Sequence, residues 1–541
     1  MKKILIPFFL APLASCSSIP DISPPKGADP CFVAGIDTCN IIVPAIIIDD
    51  KKTFQTIEDF GGSDCWTTKF IGKWTNEAKK NQIADLLFSM DTLANGNPIG
   101  VGMSAWRFNV GAGSFEQGAA SGIPDDYRRE ECFLDATGNY DWTKQAGQKW
   151  FLGAAKQRGV KDFIAFTISP PVQYTSNNKA YGLGNTTFSL KNNFEPQFSE
   201  FLVNVMKHFN NIGYPMKYIS PINEPQWDWG KTPSQEGSGA SNASVAKLVR
   251  VLGPALKNAG LNTEIAIAEA GRLDHLTTST NNTTQNQIAN FYNPTSANYI
   301  GNVPNLAKVI SGHSYFTTCP DQTLLSVRQN VHNNRNSIDP SLRVWQTEFG
   351  ILGNICDIYK GFPKNVGIDY GLYVAKVLHH DLSVANVTAW QWWLSVSTYD
   401  YSDALVYIND INGGFDREAM KTDGVVSDSK QLWCFGNYSR FIRPGMVRVD
   451  AKLSDVPSDL IAASGQMVSA YKDVNDKKLV IVIVNMSPNA ISYKVDKSIT
   501  LASNTVETYT TSSTANLEKN VQQATRIAVA GKSVVTIVAK L

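Results

Sequence analysis

The sequence predicts an α/β protein, a (β/α)8 TIM barrel with an attached β-sandwich side domain built from both chain ends. Short apolar segments alternate with longer amphipathic ones eight times from residue 57 onward, which is typical of a parallel sheet closed into a barrel. The alternation stops near residue 440, and strand-like segments separated by turns follow to residue 541. A β-branched apolar run at residues 41–48 precedes the barrel and can supply the side domain with a further strand.

The length and composition indicate a soluble protein with one large and one small domain. The chain has 541 residues, of which 43% are hydrophobic and 18% charged. Its net charge of +1 gives no electrostatic argument for nucleic acid or for an anionic membrane surface. The six histidines are scattered and there is no CxxC motif, so the sequence predicts no metal site and no cofactor. We expect a monomer.

The first sixteen residues resemble a bacterial lipoprotein signal peptide. Two lysines precede the apolar run Ile4–Leu13, which is too short to span a bilayer, and Leu13-Ala14-Ser15-Cys16 resembles a lipobox. This resemblance implies export, cleavage before Cys16 and lipid attachment to its sulfur, with the outer membrane as the expected location. A plain secretory signal is the alternative. Residues 17–40 are rich in Pro, Ser, Asp and Gly and are expected to form a tether.

Seven cysteines remain beside Cys16, and an exported protein can keep disulfides. The sequence favours two pairs. Cys31 and Cys39 bracket a short loop, whereas Cys319 and Cys356 follow two adjacent predicted strands. Because seven is an odd number, at least one thiol is not paired within this set.

Each barrel strand is predicted from a short apolar segment that ends in polar residues. The eight predicted strands are Ile57–Asp64, Met103–Gly113, Phe163–Pro171, Tyr218–Gln226, Glu264–Gly271, Val309–Phe316, Arg343–Gly350 and Val387–Leu394. The predicted helices between them are Asn76–Met90, Asp141–Arg158, Phe194–Asn210, Ala243–Ala259, Leu324–Asn334 and Tyr370–His380. An open doubly wound sheet is the alternative, but Gly61-Gly62-Ser63 does not begin a phosphate-binding motif.

We therefore place the barrel at residues 57–440 and the side domain at residues 441–541 together with 41–56. Asp49–Lys52 is expected to be the turn that ends the N-terminal strand. The clearest strands of the C-terminal part are Leu479–Asn485, Thr505–Thr511, Arg526–Ala530 and Ser533–Val538.

Residues at the carboxyl ends of the barrel strands predict the active site, because barrel enzymes place their sites there. The fourth predicted strand leads into Asn223-Glu224-Pro225, and Glu348 stands near the end of the seventh. The other predicted substrate-binding residues are Asp64, Trp66, Arg107, Asn109, Trp227, His313, Tyr315, Trp390 and Trp393. Carboxylates, hydrogen-bonding groups and aromatic side chains, without a metal-ligand cluster or a Ser or Cys triad, are typical of a polysaccharide hydrolase.

Glu224 and Glu348 are the predicted catalytic pair. Glycoside hydrolysis uses two carboxyl groups that flank the scissile bond, and we assign Glu224 as acid/base and Glu348 as nucleophile. Repulsion from an ionised Glu348 would favour the protonated form of Glu224, while Arg107 or Tyr315 would keep Glu348 ionised. Strands four and seven face each other across the barrel mouth, so a separation of roughly 5 Å and a retaining double displacement are expected. Either carboxylate alone could be structural; the pair favours function.

The remaining assignments concern substrate contacts and one competing acid. Asn223 is expected to hydrogen-bond the sugar 2-hydroxyl, and the tryptophans are expected to stack on sugar faces. Glu269 is a further strand-end carboxylate, for which an ion pair with Arg272 is predicted. Asp400–Asp410 is expected to be a long polar loop after strand eight.

Six short motifs follow one another along the chain, namely Asp59–Ser63, Trp106–Gly111, Ser220–Pro225, His313–Tyr315, Gln346–Gly350 and Trp390–Trp393. In these motifs and in their order the chain resembles glycoside hydrolase family 30. The resemblance implies a retaining mechanism with acid/base and nucleophile at Glu224 and Glu348. Asp59 stands where a typical member has Gly, which loosens the subfamily assignment.

The resemblance is most like the endo-β-1,6-galactanase branch in the stretch from Asp141 to Pro171. Other members cleave β-1,6-glucan, glucuronoxylan or glucosylceramide. Glucuronoxylan specificity would call for basic groups near the strand-eight loop, where residues 395–410 offer acids and tyrosines. A non-catalytic surface glycan-binding lipoprotein is the alternative from a different class, and the presence of both glutamates argues against it.

Overall fold

The computed structural model describes residues 32–33, 36–37, 43–230, 233–356 and 358–541. The described residues divide into two units, with the boundary between residues 43 and 44. In the first unit, Phe32–Val33 pairs antiparallel with Ile36–Asp37. The predicted signal peptide, Cys16, most of the tether and the predicted Cys31–Cys39 pair lie outside the described residues.

Eight parallel strands close into a barrel in the second unit. Neighbours in the ring follow chain order, and the ring closes because the eighth strand pairs with both the seventh and the first. The strands are β1 Asp59–Trp66, β2 Ala105–Asn109, β3 Asp162–Phe166, β4 Tyr218–Ser220, β5 Glu264–Ala270, β6 Leu306–His313, β7 Arg343–Glu348 and β8 Ala389–Ser397. The predicted barrel is confirmed, and its strands overlap all eight predicted segments.

Most helices on the outside of the barrel bury one face, whereas Ile368–Ser383 and Lys430–Ser439 are buried on nearly all sides. In Glu195–Asn211, Phe198, Leu202 and Phe209 recur at helical spacing and are buried against the sheet. The longer helices are Glu77–Phe88, Ala146–Gln157, Glu195–Asn211, Asn242–Asn258, Asp321–Ile338, Ile368–Ser383 and Lys430–Ser439. The shorter ones are Thr68–Ile71, Ser114–Gln117, Gln287–Tyr292, Arg417–Met420 and Asp459–Ala462. Among the described helices, none combines the length and the apolar character that a membrane span requires.

The barrel interior changes from apolar to polar along the strands. Its apolar layer pairs two large rings with small residues: Tyr218 packs edge-on against Trp345 with ring centroids 4.7 Å apart, among several buried alanines. Further toward the carboxyl ends, the buried side chains are Arg107, Glu269, His313 and Thr347. A layer of packed apolar side chains therefore fills one part of the barrel, and a layer of ionisable groups lies next to it.

A nine-stranded, mostly antiparallel sheet forms the side domain, and it takes strands from both ends of the chain, as predicted. In spatial order its strands are Glu518–Gln523, Thr505–Thr511, Ser533–Lys540, Lys478–Asn485, Gln466–Asp473, Val447–Leu453, Ala45–Thr56, Ile491–Val495 and Ile527–Val529. The prediction that the N-terminal strand ends in a turn at Asp49–Lys52 is wrong. The strand continues through it to Thr56 with an irregular register against Val447–Leu453.

The two faces of this sheet have different partners. In Lys478–Asn485, Leu479, Ile481 and Ile483 enter the core of the sheet itself, whereas Val480, Val482 and Val484 join the core shared with the barrel. This alternation follows from the period of two in a strand and gives a strand buried on both faces. It explains why the segment is a nearly unbroken apolar run.

The segment after β8 is not the predicted polar loop. Ala404–Asn409 is a strand that pairs parallel with β8. Val425–Ser427 pairs antiparallel with Ala404–Asn409. Ala404 to Tyr407 are all buried. Burial of the apolar run at 404–408 therefore favours a strand here, although acidic residues flank the run.

A disulfide joins the loop after β6 to the loop after β7. Cys319 and Cys356 have Cα atoms 6.2 Å apart, which confirms this predicted pair. Cys65, Cys132 and Cys434 are buried free thiols.

Replacing Cys319 and Cys356 together by serine is expected to lower the free energy of unfolding by up to about 4 kcal/mol. The bond closes a loop with a sequence separation of 37, and closing such a loop restricts the unfolded chain. Urea unfolding with and without reductant measures the effect. Reductant should destabilise the wild type and leave the double variant unchanged; equal curves for all four samples would contradict the prediction.

Candidate active site

Glu224 and Glu348 meet at the carboxyl ends of β4 and β7. Glu348 is the last residue of β7, and Glu224 follows the end of β4 by four residues. Carboxylate oxygens of the two lie within 4.8 Å of one another, and the residues are only 7% and 3% exposed. Glu224 has φ +45°, a left-handed conformation that is unusual outside glycine. Its backbone N–H donates to the Glu269 carbonyl at 2.8 Å, which holds the backbone in this conformation.

His313 stands between three carboxylates. Its Nδ1 lies 2.8 Å from Glu224 Oε1 and 3.3 Å from Glu348 Oε2, and its Nε2 lies 3.1 Å from Glu269 Oε2. Both ring nitrogens face acceptors, so both donate only in the imidazolium form. Although burial opposes that charge, the neighbouring carboxylates of Glu348, Glu224 and Glu269 raise the pKa of His313 to about 10. His313 therefore lies in the site, as predicted, and its imidazole carries a positive charge there.

Arg107 ties β2 to two of these acids. It donates to Glu269 Oε2 at 3.2 Å and to Glu348 Oε1 at 3.4 Å, and it is fully buried. Although burial opposes ionisation, Arg107 and His313 lower the pKa of Glu269 to about 2. The predicted Glu269–Arg272 ion pair is wrong: Arg272 instead donates to Asp274 at 3.0 and 2.7 Å.

Glu348 is held by the two residues that the sequence suggested. Arg107 contacts one carboxylate oxygen, and the Tyr315 hydroxyl donates to the other at 3.4 Å. Burial raises the pKa of Glu348 to about 7, with the Glu224 carboxylate adding to the effect and His313 and Arg107 opposing it. The pKa of Glu348 is therefore close to neutral, whereas the sequence predicted that Arg107 or Tyr315 would keep this carboxylate ionised.

A cleft of about 330 Å³ opens above the two glutamates. Asn223 lines it, and its Oδ1 has no hydrogen-bond partner among the described residues. The other lining residues are mostly aromatic or apolar: Trp227, Trp229, Tyr315, Phe316, Leu352 and Trp393, together with Gln235. The cleft offers flat apolar surfaces for a ring and polar atoms for hydroxyl groups, beside two carboxyl groups.

The other predicted binding residues divide between the cleft and the interior. Trp66 and Trp393 pack edge to face, with centroids 5.3 Å apart, and line a lobe that adjoins the cleft. Asp64 and Asn109 are fully buried beneath the loops, where Asp64 Oδ1 accepts from the Asn109 N–H at 2.9 Å. Trp390 is 0% exposed and donates to Asp381 at 2.7 Å. The structure thus places Asp64, Asn109 and Trp390 away from the cleft wall, in supporting positions.

Three residues that line the cleft were not predicted from the sequence, namely Gln235, Phe316 and Leu352. Phe316 directly follows Tyr315, and Leu352 lies four residues after Glu348, so their nearness to assigned residues is a usable signal. Gln235 stands in a long loop after β4 and carries no such signal.

Glu224, His313 and Glu348 also form a group, among the described residues, whose ligand atoms are spaced closely enough for a metal ion. The hydrogen bonds of His313 account for the same spacing without one. Because its imidazole is protonated over a wide pH range, it would have to lose a proton before it could bind a metal.

Comparison with known proteins identifies relatives of this chain. A model of O-Glycosyl hydrolase family 30 matches residues 43–407. Glucuronoxylanase XynC of Bacillus subtilis is 31% identical over 175 residues, which are 32% of this chain and 33% of that protein, so the match spans about a third of the relative. A conserved exported protein from Bacteroides fragilis has a structure with TM-score 0.85 and 34% identity, covering 91% of this chain and 100% of that one. The catalytic domain of GH30 xylanase C from Talaromyces cellulolyticus shares the fold, with TM-score 0.65, 22% identity, and coverage of 92% and 100%.

Proposed function

The chain belongs to glycoside hydrolase family 30, and from that premise we propose that it cleaves its glycan by a retaining double displacement. It is a glycoside hydrolase, and the alternative of a non-catalytic glycan-binding protein finds no support. The matched residues 43–407 include Glu224 and Glu348.

The observation that carries the proposal is the spacing of the two carboxyl groups. Their oxygens lie within 4.8 Å of one another, whereas an inverting enzyme needs roughly 6.5–9.5 Å to leave room for a water molecule. A shorter spacing, near 5 Å, is that of retaining enzymes, in which one carboxylate attacks the anomeric carbon directly. The geometry therefore supports a covalent glycosyl-enzyme intermediate.

In this mechanism Glu348 attacks the anomeric carbon while Glu224 gives its proton to the departing glycosidic oxygen. Glu224 then takes a proton from water, and the water displaces Glu348 from the anomeric carbon. Asn223, which precedes Glu224 and lines the cleft, is the residue that we expect to hydrogen-bond the 2-hydroxyl. His313 and Arg107 stabilise the negative charge that returns to Glu348 when the intermediate is hydrolysed.

The stereochemistry of the first product tests this mechanism. Proton NMR during early hydrolysis of a β-linked substrate should show the β-anomer before mutarotation. An α-anomer as the first product would exclude the retaining scheme.

We propose β-1,6-galactan as the substrate and endo-cleavage as the mode. The support is the resemblance of the stretch from Asp141 to Pro171 to the endo-β-1,6-galactanase branch. Glucuronoxylan and β-1,6-glucan are the other candidates, the first because of the named function of the Bacillus subtilis relative. Digestion of all three glycans with chromatographic sizing of the products distinguishes them; galactan left intact beside a digested competitor would overturn the assignment.

We also propose export and lipid attachment at Cys16, on the sequence of the first sixteen residues. Labelled fatty acid should enter the wild-type protein in a bacterial host and should be absent from the Cys16→Ala variant. Equal labelling of the two proteins would contradict this proposal.

A further inference from the structure

A buried carboxylate without a role in the mechanism lies directly beside the cleft residues of the loop after β4. Trp229 and Gln235 of this loop line the cleft. Glu236, the neighbour of Gln235, is 1% exposed and does not line the cleft. Because a glutamate is seldom fully buried unless it is paired, the partners of Glu236 indicate what it does.

The partners of Glu236 belong to the loop after β2. Its Oε1 accepts from the Ser114 hydroxyl at 2.6 Å and from the Ser114 N–H at 3.3 Å, and its Oε2 accepts from the Ala112 N–H at 3.1 Å. Gly113 lies between these two residues with φ +99°, a left-handed conformation that glycine adopts readily. Neighbouring N–H groups in such a turn converge on one anion. The carboxylate therefore joins the loops of β2 and β4, two strands that are not neighbours in the barrel.

Trp229 is held between the residue after Glu236 and the backbone of Glu224. A Cβ at Gly237 would lie 2.4 Å from the Trp229 ring, so the backbone of residue 237 lies directly against the indole. The indole Nε1 donates to the Glu224 carbonyl at 3.1 Å. Since Gly237 adjoins Glu236, the carboxylate contact also determines where the ring of Trp229 can lie.

Gln235 depends on the same contact. It is half-buried and lines the cleft immediately before Glu236. The loop is also tied to the loop after β3, where the Gly237 N–H donates to the Ala180 carbonyl at 2.8 Å. That contact lies one residue further from Gln235. Glu236 is therefore the buried contact nearest to this cleft residue.

We propose that Glu236 is a positioning residue that fixes Gln235 and Trp229 in the cleft and thereby sets the affinity for the glycan. It acts through these two side chains and contacts no reacting atom. Without its carboxylate, the loop after β4 loses its link to the loop after β2, so the glycan has to order this loop as it binds. The proposal rests on the glycan cleavage proposed above, but on neither the retaining scheme nor one particular glycan.

Glu236→Ala tests this role on whichever of the three glycans the wild type digests. KM is expected to rise about tenfold or more, with kcat within about threefold of the wild type. Glu236→Gln keeps one acceptor oxygen for the Ser114 hydroxyl and should show a smaller rise. Ser114→Ala deletes the shortest of the three hydrogen bonds and keeps the charge. It should raise KM severalfold, and it tests the same contact if the Glu236→Ala variant does not fold.

A double-mutant cycle separates positioning from stability. In a background that carries both Trp229→Ala and Gln235→Ala, adding Glu236→Ala should change KM by less than about threefold, because its effect passes through those two side chains. Glu131→Ala is the matched control. Glu131 is also buried and accepts a backbone N–H, that of Gln145 at 2.7 Å, but it does not line the cleft. Its loss should lower thermal stability and leave KM within about twofold.

An unchanged KM in Glu236→Ala, or an equal rise in Glu131→Ala, overturns the proposal. A tenfold rise that persists without the Trp229 and Gln235 side chains overturns it as well. Calorimetric Kd values for the same glycans, measured with Glu348→Gln proteins with and without Glu236→Ala, give the comparison without cleavage. A failure of the proposed function, seen as undigested glycan, is thus distinguishable from a failure of this proposal.

Discussion

Glu348→Gln is expected to lower kcat by at least about a thousandfold, with the fold unchanged. The amide has nearly the shape of the carboxylate but is a poor nucleophile, so the glycosyl-enzyme intermediate cannot form. Steady-state rates on the preferred polysaccharide measure the loss, and thermal unfolding verifies the fold. A variant with more than a tenth of the wild-type rate would contradict the assignment of Glu348.

The matched variant Glu224→Gln should depend on the leaving group. With the polysaccharide it should be nearly as inactive as Glu348→Gln, because the departing hydroxyl needs a proton. With an activated aryl glycoside, whose leaving group needs none, the first step should persist and the intermediate should accumulate. Azide adds a second distinction, because it should rescue Glu224→Ala to give a β-glycosyl azide and Glu348→Ala to give an α-glycosyl azide. The opposite pairing of products would exchange the two roles.

Arg107→Met is expected to lower the free energy of unfolding by about 3–5 kcal/mol and to reduce activity strongly. The variant keeps the volume of the side chain but leaves Glu269 and Glu348 buried without their guanidinium partner. Urea unfolding measures the stability. Arg272→Met is the control, because Arg272 and Asp274 form a partly exposed pair whose loss should cost about 1 kcal/mol or less.

The loss of unfolding free energy caused by Arg107→Met should be smaller at acidic pH than at neutral pH. The pKa of Glu269, about 2, lies below its ordinary value of 4.5, so its ionised contacts stabilise the fold above pH 4.5. This contribution is lost as the pH falls toward 2. Unfolding curves at pH 7 and pH 3.5 should therefore show a smaller gap between variant and wild type in acid. A constant gap would mean that the guanidinium acts through packing alone.

The barrel was predictable because its signal is local. Each strand is a short apolar run and each helix a longer amphipathic one, so their alternation can be counted without knowing any contact. The same reasoning located Glu224 and Glu348, since the carboxyl ends of parallel strands meet at one rim.

The side-chain directions were less predictable, and Trp390 and Trp393 show why. Side chains of a regular strand alternate between its two faces, so residues an odd number of positions apart lie on opposite faces. Trp390 and Trp393 are three residues apart and therefore lie on opposite faces, but alternation does not say which face is turned to the cleft, and the register of β8 against β1 also shifts between Trp392 and Leu394. Only the folded structure shows that Trp393 reaches the cleft while Trp390 does not.

Ion pairs were predicted poorly because nearness in sequence is a weak guide to nearness inside a barrel. Arg272 is three residues from Glu269, yet Glu269 points into the barrel and pairs with Arg107, 162 positions away. Arg128 shows the same effect. It comes from the segment after β2 but packs on Tyr399, so a basic group does stand beside the strand-eight segment, where the local sequence offers acids and tyrosines.

The N-terminal strand Ala45–Thr56 determines when the protein can finish folding. It lies between Val447–Leu453 and Ile491–Val495, and the Ala45 N–H donates to the Ser454 hydroxyl, 409 positions later. A ribosome releases the first strand long before either neighbour is made, so its edges stay unpaired until the last part of the chain has emerged. Completion of the side sheet is thus postponed until after synthesis.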